Sequence, residues 1–425
     1  MKPTLIRNAR IVDPASGFDG PGAVLFDTAI IACGPTVTAP EGADIIDAGG
    51  HCVMPGLVDL RVSIGEPGAE HKETFKSAGR AAAAGGVTTM VMTPDTGPAI
   101  DDQSLVDYVL RRGNARAGVR VAPAAALTRG FNGEHMTEIG LLSEAGAVMF
   151  ANGDKPIVDS RVLRRALSYS TGYGALVAHR PEDPWLAANG VMNEGALAAR
   201  LGLPGIPAAA ETIMAERDIA LAELTGGRLL LDMISAAATL APLRRAKEKR
   251  LSVHASVSVH HLALNEQDVE DYRTFAKLSP PLRREEDRAA LAQAVREGLI
   301  DVIVSGHRPQ PAEDKRLPFE EAAFGASALE TLLPGALTLF HNGDTPLIDL
   351  VRALTLNPAN LLGLPQGRLT AGAPADLILV DLGKPFRLDS EKFLSKCKNS
   401  PFDEKLMQGC VLRTIVGCAN LYEAR

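Results

Sequence analysis

The chain has 425 residues, 46% of them hydrophobic, with 44 basic and 51 acidic side chains and a formal net charge of −7. A chain this long buries a large core and exceeds one ordinary domain, so one large unit with a smaller companion is expected. The charges are dispersed without a basic stripe, which argues against nucleic acid as a partner. Charge, Gly and Pro interrupt every apolar run before the roughly 18 residues a membrane span needs.

The N-terminal MKPTLIRNARIVDP lacks an apolar signal core of about 7 to 15 residues, so a cytoplasmic location is expected. Residues 1 to 54 then alternate apolar and polar in short runs broken by Pro, Gly and Asp, the pattern of small antiparallel strands. The tail, with GRLTAGAPADLILVDL and LRTIVGCANLYEA, reads the same way. Residues 1–54 plus 366–425 are therefore expected to form one composite β-sandwich domain from both termini. Cys33, Cys52, Cys397, Cys410 and Cys418 are odd in number, lie near the two ends and lack CxxC spacing, and are read as reduced, buried thiols.

Between these ends, short apolar runs alternate with helical patterns. The runs fall at 58–62, 88–92, 119–125, 147–151, 175–179, 228–234, 251–257 and 300–305. Eight strands, each followed by a helical segment, predict a (β/α)8 TIM-like barrel over 55–365. Its catalytic side chains would sit at the C-terminal strand ends.

The first of those ends carries MPGLVDLRVSIGEPG, and later stretches read GVTTMVMTPDT, VHHLAL, KLSPPLR and SKCKNSPF. Together they resemble the dihydroorotase family of the amidohydrolase superfamily, over nearly the whole chain. The resemblance implies hydrolysis or closure of a cyclic amide with one or two Zn²⁺, which acidify bound water and polarise the carbonyl.

Position by position, the ligands that the resemblance implies are replaced. Two first-strand histidines correspond to Arg61 and Ser63, and a guanidinium neither deprotonates nor tolerates a dication. The bridging carboxylate falls at Asn152-Gly153, with Asp154 one position on and expected to point elsewhere. His179 survives as a vestigial ligand, followed by Arg180; Met233 stands for a histidine, and Gly306 for the aspartate that would act as base. On the substrate side, the arginine clamp corresponds to Gly65, and its two assisting asparagines to Asp95 and Ser279. A displaced metal site from His179, Asp232, His254 and His307 is the one remaining arrangement with metal-ligating side chains. His260 and His261 are read as packing residues, and His307 as structural.

From these replacements follows the expectation of a non-catalytic dihydroorotase homologue, a pseudoenzyme of pyrimidine biosynthesis without cofactor. The resemblance implies a scaffolding or regulatory role beside aspartate carbamoyltransferase, together with self-association. The alternative is an active, zinc-dependent cyclic amidohydrolase of dihydroorotase, hydantoinase-like or allantoinase-like type with a remodelled site.

Overall fold

A computed structural model describes residues 2–424. The N-terminal strands are β1 (Thr4–Asp13), β2 (Phe18–Phe26), β3 (Ile30–Gly34), β4 (Asp44–Asp47) and β5 (Cys52–Pro55). The barrel follows with β6 (Leu57–Val62), β7 (Val87–Met92), β8 (Arg120–Ala126), β9 (Met149–Ala151) and β10 (Leu176–His179). A short parallel ladder, β11 (Met192–Asn193) with β12 (Gly205–Ile206), decorates the loop after β10. The barrel resumes with β13 (Arg228–Leu231), β14 (Val253–Ser258) and β15 (Val302–Val304), and the tail adds β16 (Leu377–Arg387), β17 (Leu406–Val416) and β18 (Ala419–Glu423).

The eight barrel strands pair in parallel in the order β15-β14-β13-β10-β9-β8-β7-β6. Closure comes through a parallel bridge between Val62 and His307, where Ser63 N–H donates to the His307 carbonyl at 2.8 Å. Strands β6 and β7 are buried at every position, as expected of strands covered on both faces. Val58, Leu60, Val91, Ala124, Met149, Ala178 and Leu230 fill the interior, so the barrel is a packed core and its chemistry is confined to the mouth.

The expected sixth strand, 228–234, is cut short at Leu231. Met233 adopts a left-handed backbone (φ 56°), and its N–H is taken by Ser256 Oγ at 2.8 Å instead of a ladder partner. Helices fill the connections. The one at Phe75–Ala84 starts from a Thr74 cap that accepts from Ser77 N–H.

Strands from both termini meet in one eight-stranded sheet, ordered β18-β17-β16-β5-β1-β2-β3 with β4 on β1. Ile6, Ile11, Val24, Phe26, Leu377 and Ile415 pack together there, while Ile378, Val380 and Val411 pack into the barrel's helical layer. A bidentate pair from Arg120 to Asp376, at 2.6 and 3.0 Å, ties β8 to the entry of β16. Among the described residues, no helix is long and apolar enough to cross a membrane.

Candidate functional site

Three guanidiniums converge on one carboxylate at the barrel mouth. Arg61, at the end of β6, lies 2.5 Å from Asp154 Oδ1. Arg180, directly after β10, lies 3.2 Å from the same oxygen and 2.7 Å from Glu182. Arg308, after β15, pairs with Asp154 Oδ2. Asp154 therefore points into the mouth, which corrects the expectation that the residue after Gly153 turns elsewhere. Gly153 makes this possible through a left-handed turn (φ 60°) that places it against Asp95.

The cluster extends on both sides. Arg61 Nη1 lies 2.9 Å from Asp232 Oδ2 but without hydrogen-bond alignment, so it carries a donor with no aligned acceptor. Burial opposes ionisation of Asp95, yet Arg308 and Arg61 outweigh it and hold that carboxyl below its ordinary range. Asp95 is thus ionised with its charge balanced by these two guanidiniums. Beneath Arg61, Asp59 accepts from Arg61 N–H and Ser305 N–H at 3.2 and 3.1 Å, and burial pushes it up to about 6.

The remaining sequence-derived positions are held by the fold. Asn152 faces away, its amide paired with Thr128 N–H and Oγ1 at 3.0 and 2.8 Å. Ser63 Oγ sits 3.1 Å from Thr93 Oγ1. A Cβ at Gly65 would lie 2.0 Å from the Ala69 carbonyl oxygen, so an arginine clamp cannot stand there without rebuilding the loop. Gly306 is left-handed (φ 64°), and a Cβ there would come 3.3 Å from Met233 Cε. Ser279 and Met233 line the mouth.

Each candidate imidazole has its ring nitrogens committed differently. His179 Nε2 accepts from Ile157 N–H at 2.8 Å and Nδ1 lies 2.6 Å from Asp218, so neither nitrogen is open to a metal. His307 Nδ1 accepts from Ala328 N–H at 3.0 Å, and Nε2 faces Glu73 at 3.5 Å. His254 pairs with Asp301 at 3.3 Å, away from the mouth. The displaced site imagined from His179, Asp232, His254 and His307 is therefore not assembled.

His260 and His261 line the mouth rather than merely packing below it. Burial lowers them to about 3 and about 4, so both are neutral. His261 Nε2 lies 3.1 Å from the Pro281 carbonyl, which fixes its proton there and leaves Nδ1 as a buried acceptor without a partner. Side chains nearly fill the space between these groups, leaving about 20 Å³, little more than one water.

Zinc does not fit this donor set. Among the described residues, no group of three or more His, Cys, Asp or Glu side chains is placed to hold a metal ion. The carboxylates that gather here gather around Arg61, a permanent cation.

Sequence reasoning gave Arg180, Arg308 and Glu73 no role in the site. The first two carried a signal: His179-Arg180-Pro181 and His307-Arg308-Pro309 repeat the same tripeptide at two strand ends. Glu73, fully buried, accepts from Ser395 Oγ and Lys396 N–H, clasping the SKCKNS segment beside His307. A glutamate in a helix-capping loop gave no sign of that tail contact.

With the geometry in place, the chain can be compared with known proteins. A "Dihydro-orotase-like" family model matches residues 50–238, and an "Amidohydrolase family" model matches 227–418. The chain is 41% identical to a dihydroorotase of Ehrlichia canis, over 98% of this chain and 94% of that one. It is 38% identical to a dihydroorotase of Syntrophus aciditrophicus over 99% of both. Among solved structures, the L-hydantoinase (dihydropyrimidinase) of Arthrobacter aurescens superposes with a TM-score of 0.89 at 26% identity, covering 100% of this chain and 96% of that one.

These findings correct two expectations. Full-length relatives named dihydroorotase, together with a hydantoinase neighbour, overturn the expected pseudoenzyme and favour an active cyclic amidohydrolase, the alternative reading. They also overturn the expectation of a chain without cofactor, since the family resemblance carries zinc dependence with it. Zinc is what the family resemblance implies, while the mouth as folded here presents Arg61 in its place.

Proposed function

This chain belongs to the dihydroorotase family of the amidohydrolases, and from that premise we propose that it opens or closes a small cyclic amide at the barrel mouth. The observation that carries the reading is identity of 38% to 41% to dihydroorotases across 98% to 99% of the chain. The hydantoinase neighbour supports a cyclic ureide as the substrate class. Within the mouth, Arg61 and Arg308 are the groups suited to a substrate carboxylate or carbonyl oxygen. Neutral His261, with Nδ1 unpartnered, is suited to accept a ring N–H. With only about 20 Å³ open, substrate entry requires side chains at the mouth to move, and Arg308, the most exposed of the three arginines, with its partner Asp154 is the pair placed to do so.

The test is direct. Purified chain is assayed for ring opening of dihydroorotate and ring closure of carbamoyl aspartate, with and without added zinc, and measurable interconversion is expected. No turnover above buffer under either condition overturns the reading. The cytoplasm is the proposed location. Association with aspartate carbamoyltransferase is a separate proposal, tested by co-purification and ended by a chain that stays apart from that enzyme.

A further inference from the structure

We propose that Arg61, Arg180 and Arg308 form an anion cradle that Asp154 occupies as an internal carboxylate, and that a carboxylate-bearing ligand binds by displacing Asp154. The inference deepens the reading above by naming how the mouth recognises its ligand. It rests on geometry that the family's own clamp position does not supply, because Gly65 has no room for a side chain.

Three observations carry it. First, the hydrogen bonding is lopsided at the centre: three guanidiniums, balanced in charge at the rim by Asp95, Asp232 and Glu182, also face Asp154, whose two oxygens offer about four acceptor sites to a much larger number of N–H donors. Arg61 is 5% exposed yet has a donor nitrogen with no aligned acceptor, so the cradle has capacity beyond the carboxylate it holds. Second, the cradle is held from behind. Asp232 is fixed by Ser256 Oγ at 2.9 Å and flanks Arg61, and Glu182 holds Arg180 at 2.7 Å, so two of the arginines keep partners when Asp154 leaves. Third, Asp154 is the movable member: its side chain is 18% exposed, and it follows a left-handed glycine in the loop after β9.

At the centre, where Arg61 and Arg180 meet at 6% and 2% side-chain exposure beyond their outer partners Asp232 and Glu182, the remaining N–H donors need a buried acceptor. Asp154 supplies it in the closed mouth, and a ligand carboxylate would supply it in the open one. An internal group competes at an effective concentration in the millimolar range or above, so a free carboxylate binds weakly until the internal one is removed.

The experiment measures binding of succinate to the full chain by calorimetry, with inorganic phosphate as a second arm that separates a planar carboxylate site from a general oxyanion site. Asp154→Ala and the shape-preserving Asp154→Asn are each expected to bind succinate at least about tenfold more tightly than wild type. Adding Arg308→Gln to either is expected to return binding to the wild-type level or below. Folded Asp154 variants that bind succinate no better than wild type overturn the cradle. Phosphate binding more tightly than succinate overturns the carboxylate assignment. Should both Asp154 variants fail to fold, the wild type decides: succinate binding unchanged by Arg308→Gln overturns the proposal. Because the readout is binding, tightened succinate without turnover of dihydroorotate keeps the cradle and removes the enzyme reading, while turnover without the Asp154 effect does the reverse.

Discussion

The two halves of the barrel mouth accommodate polar groups away from water in opposite ways. The half built from the ends of β6, β9, β10 and β13 keeps its groups charged and pairs them: Arg61 with Asp154 and Asp232, Arg180 with Glu182. The half built on β14 keeps His260 and His261 uncharged, because burial lowers both below the range in which they would protonate. Arginine cannot shed its proton, so a buried arginine demands a partner, whereas a buried imidazole simply becomes neutral. One half is therefore held by Coulombic pairing and the other by uncharged hydrogen bonds, His260 to the Ser258 hydroxyl and His261 to the Pro281 carbonyl, and the two should fail under different conditions.

Removing one ion from the charged half should have the largest effect. Arg61→Met leaves Asp232 without its ion-pair partner, while Asp154 keeps Arg180 and Arg308, and a loss of about 3–5 kcal/mol in urea unfolding is expected. A loss under about 1 kcal/mol would mean the pairs contribute no more than surface ones.

Acid should find the neutral half. His261 has its ordinary value near 6.5 when unfolded and about 4 when folded, so between these the unfolded chain binds more protons. Its contribution is full above about 6.5 and is lost as pH falls toward about 4. Asp59 and Glu330, raised by burial to about 6 and about 7, act in the opposite sense, favouring the folded state at low pH and losing that contribution as pH rises through those values. The comparison that isolates the histidine is wild type against His261→Gln. From pH 7 to pH 4, wild type should lose about 3 kcal/mol more than the variant, read from urea midpoints; parallel curves would place the proton elsewhere.

Two glycine substitutions sharpen the contrast from the backbone side. Gly65→Ala forces a Cβ onto the Ala69 carbonyl and should cost about 2–3 kcal/mol. Gly306→Ala meets the Met233 tip and the Ser258 hydroxyl at 3.3 Å each, contacts that side-chain adjustment relieves, so its cost is mainly the left-handed backbone, about 1–2 kcal/mol. Thermal midpoints of the two variants should fall in that order, and the reverse order would show that the loop at residue 65 rebuilds freely.

Much of the architecture was legible before any coordinates. All eight barrel strands stand within a few residues of the apolar runs that foretold them, because burial on both faces writes a strand as a local hydrophobic run. The replaced positions were legible too: Arg61, Ser63, Met233 and Gly306 are read from single letters. What did not follow was the step from missing ligands to missing function. Site letters are a handful of positions, while the kinship to enzymes runs through about 98% of the chain.

What the sequence determined by itself was the barrel, the strand ends and the identity of the side chains placed there, since these depend on periodicity and residue type. The tertiary structure alone decided that Arg61, Arg180 and Arg308, far apart along the chain, close on Asp154, and that His179 turns both nitrogens to protein partners. Hydrogen-bond direction and charge pairing depend on angles and distances of a few ångströms between distant strand ends, and only the closed barrel fixes those.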